Sequence, residues 1–253
     1  MIHWLEQKLV YPRLSAKDSW EPAPSPEIQE GFVPTETGEQ IHYWFLPVPD
    51  SRYTFLICHG NFGNLSHRGN KLLRFRQWFN CSVAIFDYPG YGKSSGRPSE
   101  AGCYSSAKAM MNWLKQHHLS SWDQLFLYGE SLGGGVAVEM ACQHPLGGLA
   151  LIKTFSSLPA AAKYRFRLLP AYWLMRNRFD NLNKMARVQC PIFIASASLD
   201  SIVPFGHGEE LYRNTTTEKY FLPLTGQDHN DPLPDDCFIA IQSFFFRRDD
   251  QPS

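Results

Sequence analysis

The sequence predicts an α/β fold: a mostly parallel, eight-stranded sheet with helices on both faces. Three observations carry this reading. Unbroken apolar runs such as Tyr53–Cys58, Leu125–Tyr128 and Leu149–Ile152 suit strands buried on both faces. Segments of helical period lie between them, long enough for the crossovers that parallel strands need. Finally, Gly129-Glu130-Ser131-Leu132-Gly133 stands between an apolar run and a helical pattern, in a strand–turn–helix setting.

Taken in order, the first two strands are Ile28–Val33 and Ile41–Leu46, expected to form an antiparallel edge. They follow a proline-rich connector with Pro12, Pro22, Pro24 and Pro26. Tyr53–Cys58 is the first buried strand, and a helical segment ending at Phe79 comes after it. Val83–Phe86 is a strand, and a turn-rich loop runs on from Asp87 through Gly96. A helix over 101–117 presents Ala107, Met110, Met111 and Leu114 on one face. Next come strand Leu125–Tyr128, a helix from Leu132 to about His144, and strand Leu149–Ile152. Strand Ile192–Ala195, a helix near Glu209–Arg213, strand Tyr220–Leu222 and a last helix from about Cys237 complete the alternation. No repeat or linker divides the chain. Residues 1–253 therefore read as one domain, with 1–26 an N-terminal extension and 155–180 a short cap-like insertion.

The totals exclude several classes. A formal net charge of +0 gives no global field for nucleic acid. None of the six cysteines forms Cys-x-x-Cys, and they read as buried free thiols of a reducing compartment. Met1–Tyr11 holds no signal-peptide core, and no stretch reaches transmembrane length. The expectation is a soluble, cytoplasmic protein. Its amphipathic start (Ile2, Trp4, Leu5, Leu9) packs on the domain, with a peripheral membrane contact as the alternative.

Groups that do chemistry on such a sheet collect at the carboxyl ends of its strands. His59-Gly60-Asn61 lies past the first buried strand, and Ser131 past Leu125–Tyr128. Asp200 lies past Ile192–Ala195, and His229 past Tyr220–Leu222. An aspartate after a strand is ordinarily a turn former, and a lone loop histidine is ordinarily structural. The ordered conjunction Ser, Asp, His is what points to a serine hydrolase. In this reading Ser131 attacks, His229 takes its proton and Asp200 orients His229. The Leu132 amide is one oxyanion donor. The second is the Asn61 amide, with Phe62 as the alternative. Asp228 and Asp231 flank His229 too closely to orient it easily, and His59 reads as structural. No histidine pair has zinc spacing, and Gly90, Gly92 and Gly96 form no dinucleotide fingerprint, so neither metal nor cofactor is expected.

These residues resemble the α/β-hydrolase superfamily. The matching stretches are His59–Asn64, Asp87–Ser94, Gly129–Gly134, Asp200 with Val203-Pro204, and His229-Asn230-Asp231. More narrowly, the chain is similar to the minimally capped serine hydrolases that include acyl-protein thioesterases of the depalmitoylase kind. The resemblance implies hydrolysis of an ester or thioester carried by a small molecule or an acylated protein. A non-catalytic relative on the same fold, or a peptidase or lyase using the same site, are the alternatives. In this family a cap comes after the strand that succeeds the nucleophile helix. Here that place holds the basic, aromatic stretch Phe155–Asp180, with Lys163, Arg165, Arg167, Arg176 and Arg178. It reads either as a pocket wall whose positive charge attracts anionic acyl groups or holds the site near an acidic membrane surface, or as a solvated helix pair packing by its aromatics.

Overall fold

The computed structural model describes residues 2–165 and 175–246. Eight strands form one sheet: β1 Gln29–Pro34, β2 Gln40–Leu46, β3 Thr54–Cys58, β4 Ser82–Phe86, β5 Leu125–Glu130, β6 Gly148–Ile152, β7 Ile192–Ala197 and β8 Lys219–Leu224. Their spatial order is β1-β2-β4-β3-β5-β6-β7-β8. The β1–β2 and β2–β4 pairs are antiparallel, and every other pair is parallel. The expected antiparallel edge is therefore present.

The unbroken apolar runs have a physical cause. Successive side chains of a strand point to opposite faces, so a sheet covered twice needs apolar residues at every position. Leu56, Leu127, Leu149 and Leu151 enter the core on one face. Phe55, Phe126, Tyr128 and Ile152 enter the core on the other. The first face is covered by α3 (Glu100–His117) and α4 (Leu132–Ala141), through residues such as Ala107, Met110 and Val136. The second is covered by α2 (Gly69–Phe79) and, near the C-terminus, by a helix spanning Asp235–Phe245, through Leu72, Phe75, Cys237 and Phe238.

Some boundaries differ from expectation. Helix α4 stops at Ala141, short of His144, with Pro145 just ahead. The final helix begins at Asp235 rather than Cys237, because Pro234 precedes its first turn and Asp235 and Asp236 suit the helix dipole there. The amphipathic start is a helix, α1 (Ile2–Val10). Its Glu6 carboxylate accepts hydrogen bonds from the Arg176 and Asn177 amides at 2.9 Å, which ties it to the end of the insertion. Within the insertion, α5 covers Leu158–Arg165. The expectations for Phe166, Arg167, Tyr172 and Trp173 lie outside the described residues. Helix α6 (Gly206–Asn214) precedes β8, and the Asp235–Phe245 helix is α7. All six cysteines are free; five are buried and Cys142 is half-buried. Among the described residues no helix is long and apolar enough to cross a membrane.

The order β4-β3-β5 positions the site. From β3 the chain runs through α2 to one side, reaching β4. It then returns through α3 to the other side of β3, to β5. The loops leaving β3 and β5 thus lead to helices on opposite faces of the sheet, the topology at which functional groups gather at the carboxyl ends of the strands.

Candidate active site

Ser131 closes β5 and caps α4 with φ 53° and ψ −117°. That is strained backbone for a side chain with Cβ, and it persists only where the surroundings over-determine it. They do so here. The Ser131 amide donates to Ile152 O at 3.0 Å, and its carbonyl accepts from the Thr154 hydroxyl at 2.7 Å and the Gly134 amide at 3.0 Å. The flanking glycines are required by close approach. A methyl group at Gly133 would lie 1.9 Å from Cys58 O, and one at Gly129 would lie 2.7 Å from Gly133 O. The start of α4 therefore sits directly against the end of β3.

The structure brings Ser131, His229 and Asp200 together. His229 Nε2 lies 3.0 Å from Ser131 Oγ, and His229 Nδ1 lies 2.8 Å from Asp200 Oδ2. A carboxylate only accepts, so the ring proton sits on Nδ1 and the Nε2 lone pair faces the serine hydroxyl. Asp200 is itself held. Its Oδ1 accepts from the Ile202 amide at 2.9 Å and the Val203 amide at 2.6 Å. Asp228 and Asp231 do other work. Asp228 Oδ1 accepts from the Ser201 and His229 amides, each at 2.7 Å, while Asp231 Oδ2 accepts from the Asp228 amide at 2.8 Å. The Ser201 and His229 hydrogen bonds hold the Asp228 carboxyl below its ordinary value.

Leu132 is the first residue of α4, so its amide precedes the helical hydrogen-bond ladder. Asn61 lies in the neighbouring loop. A methyl at Gly60 would stand 3.6 Å from Ser131 Cβ, which places this loop beside the serine. His59 orients it. The buried ring donates from Nδ1 to Gly60 O at 2.6 Å, and Nε2 lies 3.3 Å from Asp87 Oδ1. Burial lowers the proton affinity of the ring, and Asp87 opposes that. With Gly60 O turned to His59, the trans peptide directs the Asn61 N–H the other way. The Asn61 side chain donates to Val10 O at 3.0 Å, and the Asn61 main-chain carbonyl accepts from the Tyr91 hydroxyl at 2.8 Å.

Sequence reading passed over two residues here, Thr154 and Lys153. Lys153 is buried at the end of β6, and its Nζ donates to Asp228 O at 2.9 Å and Asp231 O at 2.8 Å. Burial pulls its ammonium below the usual lysine range, and Glu130, Asp200 and Asp231 oppose this. The available signal was a charged residue directly after an apolar strand. Glu130 also adjoins the site. Burial alone would raise its carboxyl, but the charge and hydrogen bond of Lys71, with Arg68 and Lys153 beyond, bring it down to about 2. A surface groove of about 540 Å³, lined by Phe45, Val48, Thr54, Ser82 and His118 among others, lies at the amino ends of the strands, away from this cluster.

The chain matches the alpha/beta hydrolase fold family over residues 53–190. An uncharacterised protein of Mycobacterium tuberculosis is 31% identical over 92% of this chain and 83% of its own length. The alpha/beta hydrolase domain-containing protein 17C of Xenopus laevis is 28% identical over 78% of this chain and 62% of its own. Among solved structures, an esterase of Pyrococcus furiosus superposes with a TM-score of 0.74 at 18% identity, covering 94% of this chain and 98% of that one. On fold, serine elbow and these likenesses together, the chain belongs to the alpha/beta hydrolases.

Proposed function

We propose that the protein is a serine hydrolase that cleaves carboxylic esters or thioesters through an acyl-serine intermediate. The observation that carries this is the continuous relay from Asp200 through His229 to Ser131, at 2.8 and 3.0 Å. Ser131 Oγ attacks the acyl carbonyl while His229 Nε2 takes the hydroxyl proton. The imidazolium is stabilised by Asp200, which stays ionised. The tetrahedral oxyanion is met by the Leu132 and Asn61 amides, each supplying on the order of 3 kcal/mol of barrier lowering. Collapse expels the alcohol or thiol, which leaves with the proton from His229. Water then attacks the acyl-serine with His229 again as base, releasing the acid and restoring Ser131. No step needs a metal or an organic cofactor.

The substrate in this reading is a small-molecule or acyl-protein ester or thioester. The Pyrococcus neighbour is an esterase, which supports the ester class. The six free thiols support a reducing, cytoplasmic setting. Intact mass after exposure to a fluorophosphonate tests the assignment. One adduct is expected, absent in Ser131→Ala and slowed in His229→Ala. A folded wild-type protein that takes up no adduct would remove the activated serine from consideration.

A further inference from the structure

Lys153 is the first residue beyond β6, the strand between those that carry Ser131 and Asp200. Its backbone is left-handed, with φ 49°, and its amide continues the pairing with β7 by donating to Ala195 O at 2.7 Å. The residue is only 3% exposed. A buried ammonium is costly unless its protons find acceptors. Both acceptors belong to one short turn, and they bracket the base: Asp228 O on one side of His229 and Asp231 O on the other.

That turn needs outside support. Residues 225–234 connect β8 to α7 and contain no strand or helix of their own. From β7, Ser201 grips the turn through the Asp228 carboxylate. From β6, Lys153 grips its main chain. A catalytic group on a loop loses its advantage when misplaced by about 1 Å, so the anchorage of this turn bears directly on rate. Lysine suits the task. Its ammonium offers three donors on a long apolar stem that can be buried. The nearby carboxylates of Glu130, Asp200 and Asp231 balance its charge.

We propose that Lys153 is the positioning residue of the base, tying the 228–231 turn to β6 so that His229 keeps its reach to Ser131 Oγ. The proposal rests on the assignment of Ser131, His229 and Asp200 as the triad. Lys153 touches neither substrate nor reacting atoms; it acts through His229.

A double-mutant cycle tests it: wild type, Lys153→Met, His229→Ala and the double variant, on p-nitrophenyl butyrate, with thermal unfolding as the folding control. Methionine keeps the stem and removes the donors. Lys153→Met is expected to lower kcat about 100-fold with KM within about threefold. It should add nothing in the His229→Ala background, because the residue it positions is gone. Lys153→Gln, which retains a donor, should recover part of the loss. A Lys153→Met enzyme at wild-type kcat overturns the proposal. So does one that slows His229→Ala by the same factor as wild type, since that effect would not pass through His229. If Lys153→Met fails to fold, Lys153→Gln takes its place in the cycle and the same outcomes decide. A His229→Ala enzyme at wild-type kcat identifies the triad assignment as the failure and removes the proposal with it.

Discussion

His229 Nε2 and Ser131 Oγ stand 3.0 Å apart although 98 positions of sequence separate them. The serine rides on a strained strand–helix turn and the histidine on an irregular loop, so they meet only when β5, β6, β7 and β8 are correctly ordered. Two variants separate the chemistry of this pair from its strain. Ser131→Ala and Ser131→Gly should both abolish ester turnover, by about 10⁴-fold or more. Ser131→Gly should nevertheless be more stable than Ser131→Ala by about 1 kcal/mol, because glycine adopts positive φ without penalty and outweighs its extra unfolded-state entropy. Denaturant unfolding of both proteins checks this; equal stabilities would mean the turn stores no strain.

The acid of the site can be tested against its neighbour. Asp200→Asn removes the acceptor that fixes the His229 tautomer, and kcat should fall by about 10³- to 10⁴-fold. Asp228→Asn, at an exposed carboxylate engaged with loop amides, should cost less than about tenfold. A reversed ranking in steady-state kinetics would transfer the orienting role to Asp228.

Packing at the elbow sets a second ranking. Gly133→Ala drives a methyl into the Cys58 carbonyl at 1.9 Å, a main-chain atom that β3 cannot easily move. It should cost more than about 4 kcal/mol or prevent folding. Gly134→Ala meets the Thr154 side chain at 2.2 Å, which can turn away at the cost of its bond to Ser131 O. Soluble yield and thermal midpoints should therefore rank wild type, then Gly134→Ala, then Gly133→Ala. A Gly133→Ala protein of native stability would contradict the close approach of α4 to β3.

Acid should weaken the fold through His207. Its Nδ1 accepts from the Ser156 amide at 3.3 Å and faces the Ser156 hydroxyl at 2.8 Å. Burial lowers its pKa below the ordinary 6.5, with Glu210 and Asp200 opposing. The unfolded chain thus binds a proton at a pH where the folded protein does not. Stability is present above about 6.5 and is lost as pH falls below it. His207→Asn keeps an acceptor near Nδ1 and cannot titrate. Its unfolding free energy should fall less than that of wild type between pH 7 and pH 5. Part of the slope should remain, because His42 and His59 are also buried with lowered pKa values. Identical slopes would remove His207 from the acid response.

Much of the fold is legible in the residues alone. The six inner strands read as apolar runs because layers on both sides bury them, and that demand is written residue by residue, whereas the edge strands β1 and β8 are largely exposed or half-buried. Helix ends were less legible. The termination of α4 and the early start of α7 depend on caps and prolines a few positions away. At the site, Ser131, Asp200 and His229 could be named because each lies just past a strand, where a parallel sheet gathers its functional groups. Lys153 and Thr154 also lie just past a strand, but nothing in their own residue types assigned them a role. Their partners are main-chain carbonyls, and a carbonyl carries no residue-type signature.

The alternation of strands and helices, the elbow around Ser131 and the chain order of serine, acid and base are local properties of the amino-acid sequence. Period, glycine placement and the residues at each strand end set them. Other features came into being only with the packed fold. There β3 lies beside β5, and the His59 ring engages the Gly60 carbonyl. There too one aspartate of three faces the His229 ring, and a buried lysine donates to the main chain on either side of His229. Each of these depends on distances between segments remote in sequence, which are settled when both faces of the sheet are packed at once.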